Sequence, residues 1–219
     1  MVMNKKVLFF FAVFLVSSYW GWAQREHDLT PEEKEDLKTR IVEKLDDFQY
    51  DLQILAGKYG YSLSTKQARM KVTLNLFIGK GDQYLVREET RSGKYVERWE
   101  GPVTMSRIKS KYTGEKDTIP MRKYLESLIR QSQYCRIEIT QADGVRVDSF
   151  HKVSDNRYVA TAHILQGFVR YNSEGKRVYS DKTEKTVTIY IDRVSQMVGD
   201  HDIVSWDIQL GNVEAEEIW

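Results

Sequence analysis

Apolar residues recur at helical spacing in the first third of the chain. Thr30-Pro31-Glu32-Glu33 combines an N-cap, a proline at the first helical position and a glutamate three residues after the cap, a pattern typical of a helix start. The residues that follow form one apolar stripe, and we predict that this helix ends near Gly57 or Gly60. The stripe consists of Leu37, Ile41, Leu45, Phe48, Leu52 and Leu55.

Two shorter helices are predicted after this one. Ser64 and Gln67 resemble a capping box for the second helix, which Gly79 and Gly81 would end. A third helix is predicted from Pro120, because an apolar face follows it at helical spacing. That face consists of Met121, Leu125, Leu128 and Ile129, with Tyr124 beside it.

Extended segments separate the second and third helices. Tyr84 to Val86 and Tyr95 to Val96 flank a glycine-containing turn and predict a hairpin. Residues 103–108 alternate weakly between apolar and polar types, which indicates a further strand. The polar stretch from Ser110 to Thr118 is predicted to be a loop.

After Ser132 the apolar positions change to a period of two, which predicts strands. Turn residues such as Asp143-Gly144 and Gly199-Asp200 separate the runs, and short turns between strands are typical of an antiparallel meander. The alternation becomes irregular past Gln166-Gly167, which predicts a bulge or bend there. The runs cover residues 137–140 leading to 145–150, then 158–171, 187–191 and 204–210.

The last two runs predict a sheet with one buried face. The expected fold class is α+β, with the N-terminal helices packed on one face of a curved antiparallel sheet, in one domain spanning residues 24–219. The predicted buried positions are Val187, Ile189, Ile191, Val204, Trp206, Ile208 and Leu210. The opposite face, with Thr186, Thr188, Tyr190, Ser205, Asp207 and Gln209, is the predicted site for a dimer or partner.

The N-terminus has the pattern of an export signal. Lys5 and Lys6 precede an apolar run over residues 7–16, and small residues end at Ala23. The run is ten residues long, whereas a membrane-spanning helix needs about 20. We therefore expect residues 1–23 to be a cleaved signal peptide, no stable membrane span in the mature chain, and a periplasmic or secreted protein.

The charge and the cysteine content argue against nucleic-acid binding and against an internal disulfide. Loss of Lys5 and Lys6 with the signal takes the formal charge from +1 to −1, and no basic block remains to attract nucleic acid. Cys135 is the single cysteine, so no internal disulfide or N-terminal lipid anchor is expected. Phosphate-binding, metal-binding and nucleophile motifs do not occur, so we expect no cofactor and no metal.

Several local phrases resemble the NTF2-like family of α+β rolls, also called cystatin-like, in its small exported bacterial members. They are residues 118–125 (TIPMRKYL), 158–161 (YVAT) and 206–213 (WDIQLGNV). The resemblance covers about residues 30–213 and implies a cone-shaped domain with an apolar pocket, often a homodimer. The pocket residues expected on this basis are Ile189, Ile191, Trp206 and Ile208.

The leading functional hypothesis is a non-catalytic binding or assembly module of the bacterial cell envelope. It would hold a small apolar ligand in the cone and contact a second copy or an envelope protein. The alternative is an exported lyase or isomerase that uses Asp148 and His163 as an acid–base pair, with Tyr158. A small inhibitor or immunity-like protein is a third class that the residues do not separate from the first.

Overall fold

Two helices open the described part of the chain, and strands dominate its second half. The computed structural model describes residues 28–57, 60–89, 94–108, 113, 115–133, 135–141, 144–198 and 201–217, so the predicted signal at 1–23 lies outside the described residues. The helices are α1 (Pro31–Ala56), α2 (Leu63–Leu74) and α3 (Met121–Ser132). The strands are β1 (Tyr84–Glu89), β2 (Tyr95–Glu100), β3 (Thr104–Ile108), β4 (Lys116–Pro120), β5 (Arg136–Gln141), β6 (Arg146–Val147), β7 (His151–Ser154), β8 (Arg157–Tyr171), β9 (Arg177–Val198) and β10 (His201–Glu217).

Helix α1 begins as predicted, with a reciprocal capping box. The Glu33 backbone N–H donates to Thr30 Oγ1 at 3.1 Å, and the Thr30 N–H donates to the Glu33 carboxylate at 2.8 Å. The six residues of the predicted stripe are all fully buried, which confirms the helical period. The stripe therefore fixes which side of α1 faces the sheet.

The N-cap of helix α2 lies two residues before the predicted cap. The Thr65 N–H donates to Ser62 Oγ at 3.1 Å, so Ser62 rather than Ser64 is the N-cap. The helix ends at Leu74 instead of reaching the glycines, and a short 3₁₀ turn (Ile78–Gly81) follows. In this turn Gly79 and Gly81 have φ values of 65° and 76°, a region that favours glycine, so they shape the turn rather than end α2.

The main sheet has eight strands in a mostly antiparallel arrangement. Its order is β4-β3-β10-β9-β8-β5, with β6 and β7 also pairing with β8, and β1–β2 forms a separate hairpin. The predicted meander is confirmed for β8, β9 and β10, but β10 pairs with β3 in parallel. The predicted loop at 110–118 is wrong over its last part because β4 starts at Lys116, while residues 109–112 and 114 lie outside the described residues.

The central strands are longer and more regular than predicted. Strand β9 has 22 residues and β10 has 17, so both extend well beyond the predicted runs. The predicted bulge at Gln166-Gly167 is wrong, because both residues keep their register with β9 and the shift occurs between Arg170 and Tyr171. What changes near Gln166 is the other neighbour: β6 and β7 pair with β8 up to His163, and β5 pairs from Gln166 onward.

One hydrophobic core joins the helices to a single face of the main sheet. Leu45 and Phe48 of α1 belong to the same buried cluster as Ile189 of β9 and Ile208 of β10, and Trp206 packs against it. Val204 was predicted to be buried but is 43% exposed. The buried positions of β10 begin at Ile208. The alternation of apolar and polar residues in the sequence therefore starts earlier in the strand than the part that the core covers.

Candidate functional site

The proposed acid–base pair forms, but on the sheet face that points away from the helices. His163 Nε2 lies 3.0 Å from Asp148 Oδ2, and the other ring nitrogen lies 3.3 Å from Glu184. Tyr158 has the opposite phase on β8 and is buried against the Trp206 ring, where its hydroxyl accepts from the Leu29 N–H at 3.3 Å. The structure brings Asp148 and His163 together and places Tyr158 on the other side of the sheet.

The predicted pocket residues lie within the packed core. Ile189, Ile191 and Ile208 are almost completely buried, and Trp206 is half-buried. Helix α1 is anchored over this region, because Arg40 donates to the Trp206 carbonyl oxygen at 2.6 Å and Lys44 donates to the Ile208 carbonyl oxygen. These residues tie α1 to β10, and the ligand role assigned to them stays a prediction.

The predicted partner face is partly covered by the β1–β2 hairpin. Thr186, Thr188, Tyr190 and Gln209 are half-buried, and Asp207 is exposed. Tyr84 of the hairpin and Tyr190 of the sheet line the same space, and burial, followed by the neighbouring Tyr190 hydroxyl, raises the pKa of Tyr84. A cavity of about 350 Å³ lies between the hairpin and the sheet. The partner role of this face stays a prediction.

A larger cavity, of about 410 Å³, lies on the inner face of the sheet beside α3, and we call it the α3 cavity. Helix α3 forms one wall, the second half of β8 and the first half of β9 form another, and β3 and β10 contribute single residues. Phe168 and Tyr179 pack edge to face at 5.9 Å between ring centres. Its principal lining residues are Arg107, Tyr124, Phe168, Tyr179, Asp181 and Lys185.

Lys185 is the unusual group in this cavity, because it is 5% exposed and finds, among the residues that the structure describes, no oxygen partner of the kind that a buried ammonium needs. Nζ contacts Met105 Sδ at 3.6 Å and lies 5.8 Å from the centre of the Tyr124 ring. In the described part of the chain, no carboxylate oxygen lies within 4 Å of it. Burial lowers the pKa of Lys185 to about 8, although the charge of Asp181 partly opposes this shift.

Other polar groups of the α3 cavity are also incompletely paired. Asp181 Oδ2 accepts from the Tyr179 hydroxyl at 2.7 Å, whereas the buried Oδ1 has no hydrogen-bond partner among the described residues. Burial raises the pKa of Tyr124, so its hydroxyl stays protonated at neutral pH. Arg107 lines the cavity while bound to Asp117 at 2.8 Å. The site thus offers a cation, an acceptor and the protonated Tyr124 hydroxyl beside aromatic surface.

The sequence held a signal for Lys185 that the strand prediction missed. Lys185 is in phase with Val187, Ile189 and Ile191, so extending the predicted strand by one residue pair would have placed a lysine on the buried face. A lysine at a core position is a rare and informative feature. The contribution of α3 to the cavity depends on tertiary packing and left no local signal.

Comparison with known proteins assigns no family: no family model matches the chain, and no significant match exists among curated proteins or solved structures. Within the described residues, no three His, Cys, Asp or Glu side chains are placed to hold a metal ion. The described helices are also too short or too polar to cross a membrane.

Proposed function

We propose that this chain is a binding protein whose ligand is a small amphipathic anion, held in the α3 cavity by the ammonium group of Lys185. The observation that carries this proposal is a 5% exposed lysine that lines a cavity and has no carboxylate within 4 Å in the described part of the chain. An unpaired buried charge is unfavourable, so the free protein gains when a ligand supplies the opposite charge.

The remaining lining suits the apolar part of such a ligand. Tyr124, Leu128 and Phe168 offer aromatic and aliphatic surface, and Arg107 and Arg170 add positive charge. A volume of about 410 Å³ falls within the range of small-molecule sites. Together these features favour an aryl or short alkyl carboxylate over a neutral or cationic compound.

Titration calorimetry with benzoate, 4-phenylbutyrate and the neutral analogue benzyl alcohol tests the proposal. We expect the carboxylates to bind at pH 7 and the alcohol to bind at least about tenfold more weakly, since it lacks the charge that Lys185 recognises. The affinity should fall as the pH rises above about 8, where Lys185 loses its proton, by up to about tenfold per pH unit.

The matched variants are Lys185→Met and Lys182→Met. Lys182 lies on the same strand but is exposed, so its replacement should leave the affinity unchanged, whereas Lys185→Met should abolish carboxylate binding. Equal affinity for the alcohol and the acids, or retained binding in Lys185→Met, would contradict the proposal.

A second candidate is the exported lyase or isomerase, which one observation favours: the 3.0 Å contact between His163 and Asp148. A His–carboxylate pair can take a proton from a carbon next to a carbonyl group. Exchange of α-protons of simple ketones in deuterated water, followed by NMR, would be expected in the protein and absent in His163→Gln. Equal exchange in both would remove this candidate.

The wider setting is also proposed from the sequence. We propose an NTF2-like fold, supported by N-terminal helices packed against a large mixed sheet, and export to the bacterial envelope after cleavage behind Ala23. N-terminal sequencing of the exported protein should begin at Gln24.

We also propose that the partner face binds a second copy of the chain or an envelope protein. Light scattering should then show a dimer that Asp207→Lys weakens. A strict monomer that also captures no envelope protein in a pull-down would argue against the proposed partner face.

A further inference from the structure

We propose that Lys185 forms a covalent imine with an aldehyde or ketone carbonyl of a ligand in the α3 cavity. The inference deepens the proposed function and rests on it, because the same cavity must admit the ligand. In addition to binding an anion as an ammonium ion, Lys185 then reacts as a neutral amine.

The geometry favours attack by the amine rather than permanent ion pairing. Lys185 lines a cavity large enough for a ligand, and its hydrogen-bond acceptor among the described residues is the weakly accepting sulfur of Met105, at 3.6 Å. Its lone pair is therefore not tied to a strong partner once the proton has left. Exposed lysines with strong hydration are poorer nucleophiles at neutral pH than a buried, partly neutral one.

The charged and titratable groups around the amine come from several elements. Tyr124 faces it from α3, Arg107 lines the cavity from β3, Arg170 from β8, and Tyr179 and Asp181 from β9. Burial disfavours the ammonium form and Asp181 favours it; burial has the larger effect on the pKa of Lys185, which falls to about 8. At pH 7 roughly a tenth of the amine is then neutral.

The reaction balances without any oxidant or reductant. The nitrogen lone pair attacks the carbonyl carbon and forms the C–N bond of a carbinolamine. The carbon–oxygen bond then breaks, the two amine hydrogens leave with that oxygen as water, and the nitrogen lone pair forms the C=N bond. Asp181 lines the same cavity and has a carboxylate oxygen without a hydrogen-bond partner among the described residues, so a bridging water can pass the proton from nitrogen to oxygen by way of this group.

Reductive trapping of the purified full chain tests this inference. The probe is 4-carboxybenzaldehyde, which combines the anionic aryl group of the proposed ligand class with an aldehyde; when the aldehyde meets Lys185, the carboxylate at the opposite end of the ring is left to the lining arginines Arg107 and Arg170. With cyanoborohydride at pH 7, peptide mass spectrometry should find Lys185 labelled about a hundredfold faster than Lys71, Lys176 or Lys182, which are exposed, because a larger fraction of the Lys185 amine is neutral.

Two controls separate this inference from the binding proposal. Lys185→Met should lose the fast label and keep slow labelling of the exposed lysines, and its circular dichroism should confirm that it folds. The compound 4-(hydroxymethyl)benzoate has a similar shape but carries a hydroxymethyl group in place of the aldehyde, so calorimetry with it reports binding alone. Binding of this analogue with no preferred labelling of Lys185 would overturn the imine and leave the binding proposal standing, whereas loss of both would overturn both.

Discussion

Lys66 and Lys185 are buried almost equally, yet the surroundings of the two ammonium groups provide different hydrogen-bond acceptors. Lys66, on α2, is 4% exposed, and its Nζ donates to the Leu55 carbonyl oxygen at 3.3 Å, to the Gly57 carbonyl oxygen and to Ser132 Oγ at 2.7 Å. Each of its three hydrogens has an oxygen acceptor. Lys185 is 5% exposed; its Nζ contacts the thioether sulfur of Met105, and the residue lines the α3 cavity.

The comparison shows that partners, not burial, distinguish a structural lysine from a candidate functional one. Burial lowers the pKa of both lysines. Lys66 lies at the C-terminal end of α1, where unpaired carbonyl groups and the helix dipole favour a cation, and it links α1 to α3 through Ser132. Around Lys185 the described protein provides no equivalent set of oxygens, so its ammonium remains available to a ligand.

The same replacement by methionine should therefore have opposite effects at the two positions, and the larger effect is expected at Lys66. Lys66→Met leaves the Leu55 and Gly57 carbonyl oxygens and Ser132 Oγ without this donor, and we expect the free energy of unfolding to fall by about 4 kcal/mol, since each unsatisfied buried group costs about 1–3 kcal/mol. Urea denaturation followed by circular dichroism measures the change.

Lys71→Met is the matched control for that prediction. Lys71 lies on the same helix but is exposed, so its replacement should change the free energy of unfolding by less than about 0.5 kcal/mol. A similarly small effect of Lys66→Met would show that the three oxygen acceptors do not stabilise the fold.

Lys185→Met should instead stabilise the protein at neutral pH. The pKa of Lys185 falls from 10.5 in the unfolded chain to about 8 in the folded one, so the folded state disfavours the ammonium by about 3 kcal/mol. Methionine has a similar length and carries no charge. The variant should therefore unfold at a higher urea concentration than the wild type at pH 7.

The pH dependence of this gain has a definite sign. Between about pH 8 and 10.5 the unfolded state binds more protons than the folded state, so the wild type gains stability as the pH rises through this window. The advantage of Lys185→Met should be complete below about pH 8 and gone above 10.5. A variant that is less stable than wild type at pH 7 would indicate that Lys185 has partners comparable to those of Lys66.

Local patterns predicted the fold where neighbours along the chain decide the structure. Thr30 and Glu33 define the start of α1 through a contact three residues apart, and the stripe that includes Leu45 identifies its buried side. The parallel pairing of Val213 with Met105 joins residues more than 100 positions apart, so no local pattern indicates it. The end of α2 at Leu74 was missed because the glycines beyond it suggested a longer helix.

The candidate site was less predictable than the fold for the same reason. Asp148 and His163 come together because Asp148 directly follows β6, which pairs with the part of β8 that carries His163, a neighbourhood that the meander pattern indicates. The α3 cavity depends on how far a helix lies from the sheet, which sequence alone does not encode locally. Lys66 and Lys185 could not be told apart from sequence, because contacts such as Lys66 with Ser132 and Lys185 with Met105 join distant parts of the chain.

The smallest expected effect comes from removing one acceptor rather than the lysine itself. Ser132→Ala takes away one of the three oxygens around Lys66 together with the Ser132 bond to the Ile129 carbonyl oxygen at 2.7 Å. Ser127→Ala removes the matching bond to the Tyr124 carbonyl oxygen, also 2.7 Å, at a position that contacts no lysine ammonium among the described hydrogen bonds. Ser132→Ala should therefore lower the free energy of unfolding by about 1 kcal/mol more than Ser127→Ala, the value of one charged hydrogen bond whose donor keeps two other acceptors. Urea denaturation of both variants at pH 7 measures the difference, and equal losses would mean that two oxygens are enough to hold the buried ammonium.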